Sequence, residues 1–424
     1  MATRRAFLGG IAGASVAVAL SACGSRGSAT GSGSAASKTV KVGVAVPLSG
    51  DLSAMGLGMR NSVDLAVKQA NEQNLVPGWT FVLDAEDDQA SADAGKNAAT
   101  KLAADDEVIG VVGPLNSSVG QSVAPIYNSA NIVLISPANT NPSLTKGSDL
   151  ANPKRQWESY FRTCTTDDVQ GPFAAKYAFG AGLTSAATIH DKKTYGQGLV
   201  EHFTEGFTAD GGTITTAETI NPDDKDFSAV ISKVKATNPK FVYYGGEYPQ
   251  AGPLSQQMKA AGLNVPLFGG DGIYDPKYIS LAGATSTGDL ATSVGAPAAQ
   301  LPGAAAFVDA YKKAGYSEEY GAYGPYAYDA ARAIIKAAAE SLKNASSPRE
   351  ARTAEIKAVG QVSFDGTTGK VAFDQYGDAK TRILTVYKVE NGTWVPEKTD
   401  DFQTGSGSSA SASSSASPSA SAAS

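Results

Sequence analysis

The sequence of 424 residues is poor in histidine, cysteine and basic charge, and each shortage excludes a class of function. Its two histidines, His190 and His202, have no third partner in the sequence that would complete a zinc site, so we expect no metal. The formal net charge of −6 argues against nucleic acid as a partner, because phosphate binding needs a basic surface.

The signatures of common enzyme classes are also missing. The sequence has no GxSxG elbow and no P-loop, and Gly110-Val111-Val112-Gly113 does not match the dinucleotide-binding pattern GxGxxG. His190 and Asp191 are adjacent, but no serine elbow accompanies them, so a Ser-His-Asp triad is not expected. The sequence therefore predicts a protein that is not an enzyme and that needs no cofactor.

The N-terminus has the pattern of a bacterial export signal. Met1–Arg5 carries positive charge, and the apolar stretch at 6–22 is at the short limit for crossing a membrane. The segment TRRAFL at 3–8 resembles a twin-arginine motif, and LSAC at 20–23 resembles the lipobox of bacterial lipoproteins. Residues 1–22 are thus predicted to be a signal peptide, and Cys23 the lipidated residue that anchors the mature chain to the outer face of the cell membrane.

Low-complexity segments flank the part of the chain that is predicted to fold. Residues 23–37 are rich in Gly, Ser and Ala and predict a flexible tether, and residues 404–424 predict a disordered Ser/Ala tail. Removal of the signal and lipidation of Cys23 leave Cys164 without a partner for an internal disulfide. We expect Cys164 to be a buried, inert thiol.

Between these flanks, strand and helix patterns alternate. Apolar runs predict strands at 39–47, 79–85, 108–112 and 132–135, separated by helices, and a second such set runs from Asp167 to Ser293. Alternating strands and helices predict an α/β fold of two doubly wound lobes, which close around a ligand by a hinge. The segments 371–373 and 383–389 are expected to form a closing hairpin.

Polar residues follow two neighbouring strands of the first set. Asn116 and Ser117 follow the strand at 108–112, Asn139 and Thr140 follow the strand at 132–135, and Ser118 is expected to cap the intervening helix. Parallel strands present their carboxyl ends at one edge of a sheet, where ligands bind, and a helix N-terminus favours an anion. These residues therefore predict a site for a carboxylate.

Other strand ends offer negative charge and aromatic surface. Glu247 and Asp271 suit an ammonium group, while Met55, Tyr195 and Tyr323 offer mainly apolar contact area. Taken alone, each acid is equally compatible with a solvated loop charge, and each tyrosine with a core aromatic. Together with the carboxylate site, they predict a pocket for an α-amino acid.

Residues 40–395 resemble the leucine/isoleucine/valine-binding proteins of bacterial ABC importers, which have the type I periplasmic-binding-protein fold. The resemblance is carried in order by PLSG at 47–50, ISPANTNPSLT at 135–145, IHDKKTYGQGL at 189–199 and FVYYGGEYPQAG at 241–252. It implies discontinuous lobes, with 38–166 and 294–384 in the first and 167–293 and 385–403 in the second.

The resemblance also assigns roles to residues. It implies that the ligand carboxylate meets Ser117, Ala138 and Thr140, that Tyr195 and Tyr323 form aromatic walls, and that Asp271 meets the ammonium where the family usually has Glu. Met55 and Glu247 stand where the family has tyrosines, so the size and the charge of the pocket differ. The family's disulfide is missing, since Cys164 has no partner.

The implied function is capture of a solute outside the cytoplasm. The resemblance implies a monomeric, lipid-anchored protein that takes an amino acid, first of all a branched-chain one, to the transmembrane permease subunits of an ABC importer. A more polar or cationic amino acid, an amide or urea stays open as the ligand. A sensor domain that serves a signalling partner is the alternative of a different class.

Overall fold

The computed structural model describes residues 37–297, 300–301 and 303–402. The predicted signal peptide, the lipidation site Cys23, the tether up to Ala36 and the Ser/Ala tail lie outside the described residues. The lobe boundaries drawn from the resemblance stay predictions.

The first lobe is built on a five-stranded sheet. Its strands are β1 (Lys38–Val46), β2 (Trp79–Asp87), β3 (Val108–Val112), β4 (Val133–Ser136) and β5 (Tyr160–Arg162). They lie in the order β2-β1-β3-β4-β5 and pair in parallel throughout. β3 is buried along its whole length, as expected for a strand that helices cover on both faces.

The second lobe is built on a seven-stranded sheet. Five strands come from the middle of the chain: β6 (Ser185–His190), β7 (Thr213–Thr219), β8 (Phe241–Gly245), β9 (Leu267–Gly269) and β10 (Leu290–Ser293). Two short strands, β11 (Ser363–Gly366) and β12 (Gly369–Ala372), form a separate hairpin, and β13 (Ile383–Glu390) and β14 (Thr393–Asp401) complete the sheet. Its order is β14-β13-β10-β9-β8-β6-β7, with β13 antiparallel to both of its neighbours.

Twelve helices in the described residues connect and cover these sheets. They are α1 (Ser53–Glu72), α2 (Ala92–Ala104), α3 (Ser117–Ser129), α4 (Ser143–Lys146), α5 (Asp167–Gly180), α6 (Thr194–Ala209), α7 (Ser228–Ala236), α8 (Tyr248–Ala260), α9 (Pro276–Ala282), α10 (Ala304–Ala314), α11 (Gly324–Ser341) and α12 (Pro348–Val359). The chain returns to the first lobe late, because α11 packs against α1 and β3, and α12 against β3 and β4.

Helical spacing explains how α1 and α11 pack. Val63, Ala66, Val67 and Ala70 recur at the i, i+3, i+4, i+7 spacing and are all buried on one face of α1. On the sheet below α11, Gly110 makes room, since a Cβ atom there would lie 3.0 Å from Cγ2 of Ile334. The small residue lets the helix approach the strand closely.

Two local predictions are wrong. Residues 371–373 do not pair with 383–389, because β12 pairs with β11 while β13 pairs with β10 and β14. Ser118 is not a cap, because α3 already begins at Ser117 with Asn116 in the N-cap position. The predicted parallel neighbours β3 and β4 are confirmed.

The prediction of a buried Cys164 is confirmed. The residue is fully buried and free, its thiol donates to the carbonyl of Asn139 at 3.4 Å, and burial raises its pKa. Across the described residues, no three His, Cys, Asp or Glu side chains are grouped so as to hold a metal ion. No helix in the same part of the chain has the length and apolar character needed to cross a membrane.

Candidate functional site

Loops from both sheets enclose a small cavity. Because β3 and β4 are parallel neighbours, the loops that follow them lie at the same sheet edge, and loops after β6, β8 and β9 approach from the second lobe. The cavity has a volume of about 20 Å³ and is lined by Met55, Leu115, Asn116, Ser117, Ala138, Tyr195, Glu247, Gly272 and Tyr323. Leu115 and Gly272 are the lining residues that the sequence did not single out, although each adjoins one that it did.

The N-terminus of α3 reaches the wall of this cavity. Asn116 and Ser117, its N-cap and first residue, both line the cavity, and no side chain caps the helix. The first N–H groups of a helix carry partial positive charge, and they favour an anion when no side-chain oxygen occupies them. The Ser117 hydroxyl, which accepts a hydrogen bond from the Asn141 amide at 3.5 Å, adds a polar group beside them.

Asn139 braces the loops and does not line the cavity. Its side-chain amide donates to the carbonyls of Pro114 and Leu115 at 3.1 and 2.9 Å, and its Oδ1 accepts from the hydroxyl of Tyr160 at 2.9 Å. Thr140 is likewise buried without lining the cavity, and its carbonyl accepts from the amide of Asp167 at 2.9 Å. Of the loop after β4, therefore, Ala138 forms the cavity wall.

Arg162 holds this loop from below. The guanidinium is fully buried, and it donates to the carbonyls of Asn139 at 2.5 Å and Asn141 at 3.0 Å. It forms an ion pair with Asp378 at 2.7 Å. Burial works to lower the pKa of Arg162, but the charge of Asp378 outweighs it and holds the pKa above its usual value. The sequence alone did not single out either residue.

Asp271 is a buried carboxylate surrounded by donors. It follows β9 and is 1% exposed, and its Oδ1 accepts from the Tyr195 hydroxyl at 2.8 Å and from Gln170 Nε2 at 3.0 Å. Its Oδ2 accepts from the hydroxyl of Tyr323 at 2.7 Å, which is a contact between the two lobes. Burial raises the pKa of Asp271, and the hydrogen bonds from its donors oppose that rise.

Glu247 makes the second polar contact between the lobes at the cavity. Its Oε1 accepts from Asn116 Nδ2 at 2.7 Å, and its Oε2 lies 3.0 Å from Lys193 Nζ. Burial works to raise the pKa of Glu247, but Lys193 and the hydrogen bonds hold it below the usual value. Lys193 is also 3.9 Å from Asp191, whose pKa is raised to about 8 by burial and by the nearby Glu247 carboxylate.

Two α/β lobes that enclose a cavity with polar groups from both sides define a class, that of hinged binding proteins. Comparison with known proteins agrees, since the family model for periplasmic binding proteins matches residues 39–393. The chain belongs to the periplasmic binding protein family and is related within it to the Leu/Ile/Val-binding proteins. Leu/Ile/Val-binding protein homolog 1 of Brucella suis biovar 1 (strain 1330) is 33% identical over 361 residues, which cover 85% of this chain and 93% of the relative.

Solved structures show the same fold. The leucine-binding protein LivK of Thermotoga maritima is 27% identical with a TM-score of 0.75, and the match covers 85% of this chain and 98% of that one. LivJ of Streptococcus pneumoniae, solved in complex with isoleucine, is 25% identical with a TM-score of 0.73, and the match covers 85% of this chain and all of the other. The predicted type I fold and family are confirmed. The chain is thus a binding protein and not an enzyme, and its family implies an extracytoplasmic location.

Proposed function

We propose that the protein is a lipid-anchored receptor that binds a free α-amino acid between its lobes and delivers it to the permease of an ABC importer. Branched-chain amino acids are the first candidates, because the Brucella relative is named for them and the LivJ structure contains isoleucine. The apolar side chains of Met55, Leu115 and Ala138 on the cavity wall suit such a ligand.

The observation that carries the proposal is the separation of charge across the cavity. The first lobe contributes the uncapped N-terminus of α3 with Ser117, which suits a carboxylate. The second lobe contributes Asp271, which lies behind the cavity wall formed by its neighbour Gly272 and its partners Tyr195 and Tyr323. Its partners Tyr195, Gln170 and Tyr323 are all uncharged, so an ammonium group that reached Asp271 would supply the missing positive charge. An α-amino acid carries both groups on one carbon atom.

Capture by closure follows from the same contacts. A cavity of about 20 Å³ has room for only one or two water molecules, so the walls must separate before an amino acid can enter. Contacts to α3 and to Asp271 can be made together only when the lobes are closed. The ligand therefore shifts the population toward the closed form, which is the form presented to the permease.

Calorimetric titration of the mature protein with the twenty amino acids tests the proposal. We expect heat of binding with leucine, isoleucine or valine. If none of these three binds but an unrelated solute does, the ligand assignment is contradicted. If no α-amino acid binds at all, the proposal of an amino-acid receptor is overturned.

Two analogues of leucine test the two ends of the site separately. Leucinamide lacks the carboxylate, and 4-methylpentanoate lacks the ammonium group. We expect each to bind at least about tenfold more weakly than leucine, because each leaves one charged or dipolar group of the site without its partner. If either analogue binds as tightly as leucine, the part of the site assigned to its missing group is wrong.

A further inference from the structure

One residue of the cavity wall, Glu247, belongs to a charge pair that recognition of the amino and carboxylate groups does not use. With the carboxylate at α3 and the ammonium at Asp271, the wall left for the ligand side chain includes the apolar Met55, Leu115 and Ala138 together with Glu247. Glu247 is 5% exposed, and it is the charged member of this group. Its interactions therefore decide which side chains this end of the cavity accepts.

The charge of Glu247 is cancelled locally. Lys193 Nζ lies 3.0 Å from Glu247 Oε2, and the side chain of Lys193 is 24% exposed. Asp191, the other acid near Lys193, is fully buried and lies farther from the ammonium group, at 3.9 Å, and burial raises its pKa. One carboxylate and one ammonium thus sum to about zero beside the ligand side chain.

We propose that Lys193 is a specificity-determining residue, which neutralises Glu247 so that the cleft takes an α-amino acid with an uncharged side chain and rejects one with a cationic side chain. This inference rests on the proposed function. A buried carboxylate without a partner strongly favours a cation, whereas a paired carboxylate gives an entering cation little attraction and leaves it next to Lys193. Although Glu247 is an acid in the pocket, its pairing with Lys193 means that the pocket does not favour basic amino acids.

The test compares two ligands of the same shape. The side chain of L-norvaline ends in a methyl group, and that of L-2,4-diaminobutyrate ends in an ammonium group; the two are otherwise the same. We expect the native protein to bind norvaline more tightly at neutral pH. Lys193→Met should shift the ratio of the two dissociation constants toward diaminobutyrate by about tenfold or more, since it leaves Glu247 unpaired.

A neighbouring lysine provides the matched control. Lys192 is exposed, and its ammonium group donates to Asn221 at 2.7 Å, away from Glu247. Lys192→Met should therefore leave the ratio of dissociation constants unchanged. A ratio that moves equally in both variants would overturn the assignment to Lys193.

Glu247→Gln keeps the inference testable if Lys193→Met does not fold. The amide has the same shape as the carboxylate but leaves Lys193 with only the more distant Asp191, at 3.9 Å. The ratio of dissociation constants should therefore move further against diaminobutyrate. The double variant with Lys193→Met should return toward the native ratio. Native protein that binds norvaline, with an unchanged ratio in the single variants, overturns this inference alone. Native protein that binds neither norvaline nor any other α-amino acid overturns the proposed function instead.

Discussion

At the scale of single residues, Asp271 is the group on which the proposed recognition of an amino acid depends most. Its carboxylate is buried among hydroxyl and amide donors, which orient it without neutralising its charge. Gln170 fixes the backbone as well, because its Oε1 accepts from the Asp271 amide at 3.0 Å. The carboxylate is thus held in position for a cationic partner before any ligand arrives.

Asp271→Asn should weaken binding of the preferred amino acid by more than about 1.5 kcal/mol, the contribution of a hydrogen bond to a charged group. Calorimetry on the variant measures this. Asp223→Asn, at an exposed position, is the control and should bind like the native protein. An unchanged dissociation constant in Asp271→Asn, with thermal unfolding also unchanged, would show that the ammonium is held elsewhere.

At the scale of elements, the loop after β4 owes its shape to Arg162. The guanidinium donates to two carbonyls of the loop and to the Thr145 hydroxyl within α4, and Asp378 supplies compensating charge. Ala138 on the cavity wall is positioned by the same loop. The geometry of the carboxylate end of the site therefore depends on a charge pair that does not touch the cavity.

Arg162→Met should lower the free energy of unfolding by about 3 kcal/mol, because it removes the closer partner of the buried Asp378 carboxylate and leaves only Lys146, at 3.7 Å. Arg349→Met is the matched control: Arg349 also pairs with an aspartate, Asp106, but both side chains are 63% exposed. Arg349→Met should lower the free energy of unfolding by less than about 1 kcal/mol. Urea denaturation of both variants measures the difference, and equal losses would contradict the role given to burial.

Some of the strands and helices could be predicted from the sequence, and others could not. β3, β4 and the helix between them were predictable, since their apolar runs are short, buried and bounded by polar loops. α12 was missed because its buried face contains Arg352 and Glu355, which break the apolar periodicity. β14 was missed because most of its residues are exposed and four of the nine are charged, so it shows no apolar run.

The site also contains residues that the sequence could predict and residues that it could not. Residues at strand ends, such as Ser117 and Glu247, were found because a strand end is visible in a local pattern, and both line the cavity. Arg162 and Asp378 were not found, because they are far apart in the sequence and meet only in the fold. Asn139 follows β4 and its side chain could bind a carboxylate, which is why it was predicted. The sequence could not show that its amide already donates to backbone carbonyls.

At the scale of the whole molecule, the predicted lipid anchor and the predicted tether bear on how the binding protein works. The first described strand begins at Lys38, so the predicted lipid on Cys23 would be separated from the sheet by the Gly/Ser/Ala-rich stretch predicted to be flexible. A tether of that kind would hold the cleft near the membrane while leaving the lobes free to close.

Cys23→Ser should release the protein from membranes, because it removes the residue that would bear the lipid. Fractionation of cells followed by immunoblotting measures the distribution. Cys164→Ser is the control, since that thiol is buried in the fold, and this variant should stay with the membrane fraction. Continued membrane association of Cys23→Ser would exclude lipidation as the anchor.

The β14 edge of the seven-stranded sheet is poorly suited to pairing with another molecule. β14 is the outermost strand, and Pro396 within it has no N–H to offer a neighbouring chain. Glu397, Lys398 and Asp400 add charges of both signs along the same edge. A strand of this composition resists pairing with a strand from another molecule, so this edge offers no ready seed for fibre growth.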